Sequence, residues 1–172
     1  MKAFIRRIKS VLFLLIVTSL CSHISYAQNA QTEKQASKNV LIKNLVDSQN
    51  FVFVAESVLP ARGALRQLTS YYDIAISGDS LVSYLPYFGR AYVVPNDPTN
   101  IGFNFTSTKL EYSKTLNKKG RWDILIKPKD YNEVQQLSFQ IFNNGSASLR
   151  IISLNREPIS FQGYVTGRKQ KN

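Results

Sequence analysis

The chain has one histidine, one cysteine and one methionine, and all three lie within its first 23 residues. That stretch reads as part of a secretory signal peptide, so export would leave a protein with no imidazole and no thiol. It opens with Lys2, Arg6, Arg7 and Lys9 and no acidic residue. An apolar run from Val11 to Val17, extended by Leu20, follows, and the segment ends in Ser25-Tyr26-Ala27 before Gln28. A basic start, a short greasy centre and small residues at the cleavage positions are what a signal peptidase reads. Cleavage after Ala27 removes Met1, Cys21 and His23 together.

Each absence excludes a class of chemistry. Without histidine no Ser–His or Cys–His nucleophile pair can be assembled. Without histidine and cysteine the usual ligands of zinc, haem and iron–sulfur clusters are missing, and no disulfide can form. Asn96, Asp97 and Asn100 lack the spacing and the bidentate acid of a dedicated calcium loop. No cofactor and no metal are therefore expected. Long apolar runs are scarce too: the longest is at most half of the roughly 20 residues a spanning helix needs, so no membrane span is expected in the mature chain. Leu20 before Cys21 is not the small residue that lipid attachment wants, which argues against an anchor there. The expected location is the periplasm or the exterior, where nucleic acid is not an expected partner.

Cleavage leaves 145 residues, enough for one domain with a proper core. The signal peptide carries four of the 22 basic residues and none of the 11 acidic ones, which leaves a formal net charge of +7. That balance fits life beside anionic envelope polymers and also fits solubility alone.

Residues 28–50 read as a polar leader and a helix from Thr32 to Asp47, with Val40, Leu41, Leu45 and Val46 at helical spacing. From residue 51 to 167 the period changes to two. Phe51 to Ala55 is a strand; Tyr72, Ile74 and Ile76 alternate with polar or small neighbours; Gly78-Asp79-Ser80 is a tight turn. Leu81 to Phe88 returns, with Pro86 inside it, which predicts an edge or a bulge there. Pro95 to Asn100 is a loop. Phe103 and Phe105, then Leu110 and Tyr112, then Trp122, Ile124 and Ile126, then Leu137, Phe139 and Ile141 continue the alternation. Ser148 to Leu154 and Ile159 to Thr166 complete it, and residues 168–172 form a basic tail. No second helix is available to cross between parallel strands. The expected fold is mainly β (α+β): about eight strands in an antiparallel meander, curled as a barrel or a sandwich, with one N-terminal helix covering an open end or an exposed face.

The block Tyr84-Leu85-Pro86-Tyr87-Phe88-Gly89-Arg90-Ala91-Tyr92 is the densest local signal. Together with Phe51 to Ala55, Leu68-Thr69-Ser70-Tyr71-Tyr72-Asp73, Ser77-Gly78-Asp79 and, more weakly, Phe105 to Lys109, it resembles the family of small exported bacterial proteins catalogued as domain of unknown function 4251. The resemblance covers nearly the whole mature chain. It implies an exported single-domain protein and carries over no catalytic residues.

Two surface features are candidates for binding. Tyr71, Tyr87, Arg90 and Tyr92 could form a shallow floor for a sugar ring, a peptide or a lipid head group, because a guanidinium beside aromatic faces can stack or grip a carboxylate. In that arrangement Tyr84 and Phe88 face inward, while Tyr87 and Arg90 face outward near Tyr71. The packing alternative puts these rings in the core and pairs Arg90 with Asp73 or Asp79. The second feature is basic: Lys118, Lys119, Arg121, Lys127 and Lys129 could meet an anionic envelope polymer, or simply solvate a turn. Carboxylates offer less. Asp73 and Asp123 lie opposite the apolar residues of their strands and should point to solvent, and nothing draws two acids together as glycoside hydrolysis requires. The expectation is a non-enzymatic binding or structural module of the envelope. A carboxylate-based glycan hydrolase and a carrier of a small apolar ligand are the alternatives.

Overall fold

A computed structural model describes residues 35–93 and 101–168 of the chain. The expected signal peptide and leader, the first residues of the expected helix, the expected Pro95 to Asn100 loop and all of the expected basic tail but Arg168 lie outside the described residues. The chain divides into two units, Met1–Lys38 and Asn39–Asn172. In the first, residues 35–38 are helical. In the second, the same helix, α1 (residues 35–47), runs on to residue 47. Nine strands follow: β1 (Asn50–Pro60), β2 (Arg66–Ser77), β3 (Ser80–Leu85), β4 (Phe103–Ser107), β5 (Leu110–Leu116), β6 (Trp122–Pro128), β7 (Val134–Ile141), β8 (Ser146–Ser153) and β9 (Ile159–Thr166).

Every ladder is antiparallel, and the strands lie in the order β4-β3-β2-β1-β9-β8-β7-β6-β5. Neighbours in the sheet are neighbours in sequence except where β9 returns to pair with β1. The consecutive strands β4 and β5 stand at the two ends of this order and do not pair, and the meander curls into a nearly closed barrel with one seam between them. Nine strands form it where about eight were expected, and the barrel is the form taken. Asp130, just after β6, clasps the seam by accepting hydrogen bonds from the Ser107 hydroxyl, from the Thr108 N–H at 2.8 Å and from its hydroxyl at 3.1 Å. Beside it Phe105 stacks on Tyr131 with ring centroids 4.3 Å apart.

Alternation decides what fills the barrel. Trp122, Ile124 and Ile126 turn inward from β6, as do Phe103 and Phe105 from β4, and all are buried. Phe139 on β7 meets Phe51 and Phe53 on β1 edge-on, at 6.0 and 5.7 Å. β1 and β7 are three places apart in the sheet, so these contacts cross the interior and side chains occupy its centre. One end is covered by α1, whose Ile42 and Val46 join the core. Asp47 ties it there through Lys114 of β5 at 2.6 Å, and also pairs with Lys43 one turn back in the same helix at 2.8 Å. Those two ammonium groups pull the Asp47 carboxyl down to about 2.

The other end is held by Arg156, which follows β8 and is 5% exposed. Its guanidinium pairs with Glu133 at 2.7 Å, donates to the carbonyls of Ile101 and Gly102 at 2.9 and 3.0 Å, and lies over the rings of Tyr87 and Phe103. One expectation needs correcting here. The strand expected through Phe88 ends at Leu85, immediately before Pro86, and is not an edge, because β4 pairs with its free side. Proline lacks the N–H that would continue the ladder.

Candidate functional site

β1 departs from alternation: Phe51-Val52-Phe53-Val54-Ala55 is apolar on both faces. Phe51 and Phe53 fill the barrel, which leaves Val52 and Val54 on its outside. Register brings small and apolar neighbours to them. Val52 lies beside Ala75 of β2, which lies beside Val82 of β3; on its other side is Thr166 of β9. In the next row Val54 lies between Asp73 of β2 and Tyr164 of β9. Val52 and Val54 are only 7% and 6% exposed although they face out. With the side chains of Tyr71, Tyr164 and Arg168 around them, they floor a concavity of about 540 Å³, within the size range of small-molecule sites.

Local backbone packing sets this geometry. Gly163 faces Ala55 across the β1–β9 ladder, and a Cβ there would stand 1.9 Å from the Val54 carbonyl oxygen. Only glycine lets β9 approach β1 this closely, and the next residue, Tyr164, is thereby set beside Val54. On β2 a wide bulge puts four residues, Leu68 to Tyr71, opposite Glu56 alone. Tyr71 emerges from it next to Asp73.

Asp73 supplies the site's carboxylate. Partial burial is the largest influence on it and raises its pKa. The hydrogen bond from the Tyr71 hydroxyl and the charge of Arg168 pull the other way. Tyr71 is pushed up by its own burial and then by the Asp73 charge, so it stays a neutral donor at ordinary pH. The concavity therefore combines an aliphatic floor, two phenol rings, one carboxylate with a free side, and one guanidinium. Among the described residues no three His, Cys, Asp or Glu side chains gather as a metal centre would require.

The residues singled out in the sequence fall in three places. Tyr71 lines the concavity, but Tyr87, Arg90 and Tyr92 do not. They pack against the β8–β9 connection. The Tyr87 hydroxyl donates to the carbonyls of Arg90 at 2.8 Å and Glu157 at 3.2 Å, its ring meets Phe103 edge-on at 5.5 Å, and the Tyr92 N–H donates to Asn155 at 2.7 Å. The expected facing of the block is thus reversed at two residues. Tyr84 is 53% exposed and stacks on Tyr72, while Tyr87 is half-buried. Leu81, Ser83 and Leu85 are the inward residues of β3, so Tyr84 must face out and Tyr87 follows their phase. Phe88 does pack on the core, under the Arg66 guanidinium. Asp73 has Tyr71 and Arg168 as its partners instead of Arg90.

The basic set lies on the β5–β6 hairpin and is partly neutralised. Arg121 pairs with Asp123 at 3.0 Å, and Lys127 and Lys129 both reach Glu111, lowering its pKa. Lys118 and Lys119 are exposed in the turn.

Comparison with known proteins fits this architecture. The family model described as "Domain of unknown function (DUF4251)" matches residues 33–165. The chain belongs to the DUF4251 family. A DUF4251 family protein from Bacteroides eggerthii DSM 20697, whose crystal structure was solved at 1.95 Å resolution, has a similar fold. The TM-score is 0.58 and the identity 16%, over 77% of this chain and 91% of that chain. No curated protein matches. Within this DUF4251 chain the matched span includes Val52, Val54, Tyr71, Asp73 and Tyr164, whereas Thr166, Gly167 and Arg168 lie beyond it.

Sequence reasoning missed Val52, Val54, Asp73 as a partly buried group, Tyr164 and Arg168. The signal for the valines was present: an apolar run without alternation marks a strand covered on both faces. Tyr164 and Arg168 had none, because only the β1–β9 ladder brings them to residues more than a hundred positions earlier.

Proposed function

We propose that this chain is an exported binding module of the cell envelope that takes a small amphipathic ligand on the outer face of its barrel. The observation that carries this reading is the pair of outward valines, Val52 and Val54, nearly removed from solvent beneath a partly buried carboxylate. Val82 beside them is 45% exposed, and a ligand with one apolar face would cover this outward aliphatic surface. The filled interior supports the outer face over a carrier's lumen. Among the described residues Asp73 is the one carboxylate lining the concavity, which supports binding over hydrolysis by a pair of acids.

The test is ligand-linked stability. Solubilised envelope fragments should raise the thermal midpoint of the mature protein, since a ligand that binds only the folded state stabilises it. They should leave Val82→Asp and Tyr164→Ala unchanged. An equal rise in both variants would move the site elsewhere. The export half of the reading is tested by the intact mass of protein recovered from cells, which should begin at Gln28; an unprocessed chain beginning at Met1 would contradict export, and a lipid on Cys21 would contradict the Gln28 start.

A further inference from the structure

We infer that the outer concavity is built for a neutral sugar ring with adjacent hydroxyls. This rests on the outer-face reading above and adds the chemistry of what is bound there. Among the described residues Asp73 and Arg168 are the charged residues of the lining, and their charges cancel. A cationic ligand would draw on the carboxylate but meet the guanidinium, and an anionic one the reverse. Either would leave a net charge in a partly dehydrated site. A purely apolar ligand would cover the valines but strip water from the carboxylate and guanidinium without replacing it.

Adjacent hydroxyls on one ring satisfy both groups at once. One donates to the Asp73 carboxylate, and its neighbour accepts from Arg168. The carboxylate has room for this, since Tyr71 occupies only part of its capacity to accept. The C–H face of a pyranose is apolar and flat, suited to the floor of Val52, Val54 and Ala75 and to the ring of Tyr164. The Tyr71 hydroxyl donates to Asp73 and holds the carboxylate oriented toward the ligand.

The experiment uses the isotopically labelled mature protein and four probes: cellotetraose, the neutral tetramer of N-acetylglucosamine, its cationic de-acetylated counterpart, and tetragalacturonate. Octanol serves as an apolar control. Amide chemical shifts report where each binds and how strongly. Cellotetraose, whose rings all carry adjacent hydroxyls, should shift the amides of Tyr71, Asp73, Ala75 and Tyr164; the N-acetylglucosamine tetramer, with adjacent hydroxyls on its terminal ring alone, should bind more weakly, and the charged tetramers about tenfold more weakly than cellotetraose or worse. Asp73→Ala and Arg168→Gln should each weaken cellotetraose by about tenfold while leaving octanol's effect in place. The unperturbed amide spectrum of each variant checks its fold. Equal or tighter binding of either charged tetramer would overturn the inference. Shifts from octanol alone would overturn it too while leaving the outer-face site standing. Silence of these amides to every probe would remove the site itself.

Discussion

Replacing Arg156 by methionine is the perturbation whose effect the structure defines most fully. The guanidinium is 5% exposed and serves Glu133, two backbone carbonyls and two aromatic faces at one end of the barrel. Methionine keeps much of the volume and none of the donors. Removing one partner of a buried ion pair costs about 3–5 kcal/mol, mostly for the charge left behind. Glu133 retains 24% of its side-chain exposure and can recover some hydration, which favours the lower end. The stranded carbonyls of Ile101 and Gly102 push the other way, since hydrogen bonds to charged groups are worth about 1.5–3 kcal/mol each. About 3–4 kcal/mol is expected, a large share of the stability of a single domain. Urea denaturation of the mature protein reads it directly, and the thermal midpoint should drop by about 6–16 °C. Arg156→Lys should fall between, because an ammonium cannot serve Glu133 and both carbonyls at once. Adding Glu133→Gln to Arg156→Met should restore more than about 1 kcal/mol. A loss under about 1 kcal/mol in the single variant, with no recovery in the double, would refute the reasoning.

The tyrosines of the central block should separate in stability. Tyr87→Ala removes a half-buried ring and two hydrogen bonds and should cost about 2–4 kcal/mol, whereas Tyr84→Ala loses chiefly its stack on Tyr72 and should cost about 1 kcal/mol; equal midpoints would contradict the observed facing. Acid should open the seam. Hydrogen bonds, first from Ser107 and then from the Thr108 N–H, hold Asp130 at about 2, below its ordinary 3.8, so its contribution is present above the higher value and lost as pH falls toward the lower. Asp130→Asn should therefore flatten the stability profile in that window. Asp73 has the opposite sign: its raised pKa means that its charge opposes folding once pH rises through the folded value, so Asp73→Asn should raise the midpoint at neutral pH.

Much of this fold is legible in the sequence because inward positions carry large apolar residues at strict period two. Trp122, Ile124 and Ile126 mark β6 this way, and Ile159 to Thr166 coincides with β9. The facing of β3 was legible too, but in Leu81 and Leu85 instead of the aromatic residues that draw the eye. Binding residues were harder to see for a physical reason. Asp73 reads as a solvated outward residue on β2, and only the side chains raised around it make it a partly dehydrated one. Tyr71 could be named from its neighbours in sequence, but Tyr164 and Arg168, which join it at the site, come from the far end of the chain.

The absence of cysteine downstream of Cys21 makes one measurement especially clean, since a single introduced thiol is the only one in a chain that begins at Gln28. Val82 lies in the concavity and Phe142 in the β7–β8 turn, and both are 45% exposed. Mature protein carrying Val82→Cys or Phe142→Cys can be alkylated with a maleimide, with and without solubilised envelope glycan fragments. Ligand on the outer face should slow alkylation at position 82 and leave position 142 unchanged. Equal rates at position 82 with and without fragments that demonstrably bind the protein would contradict the account.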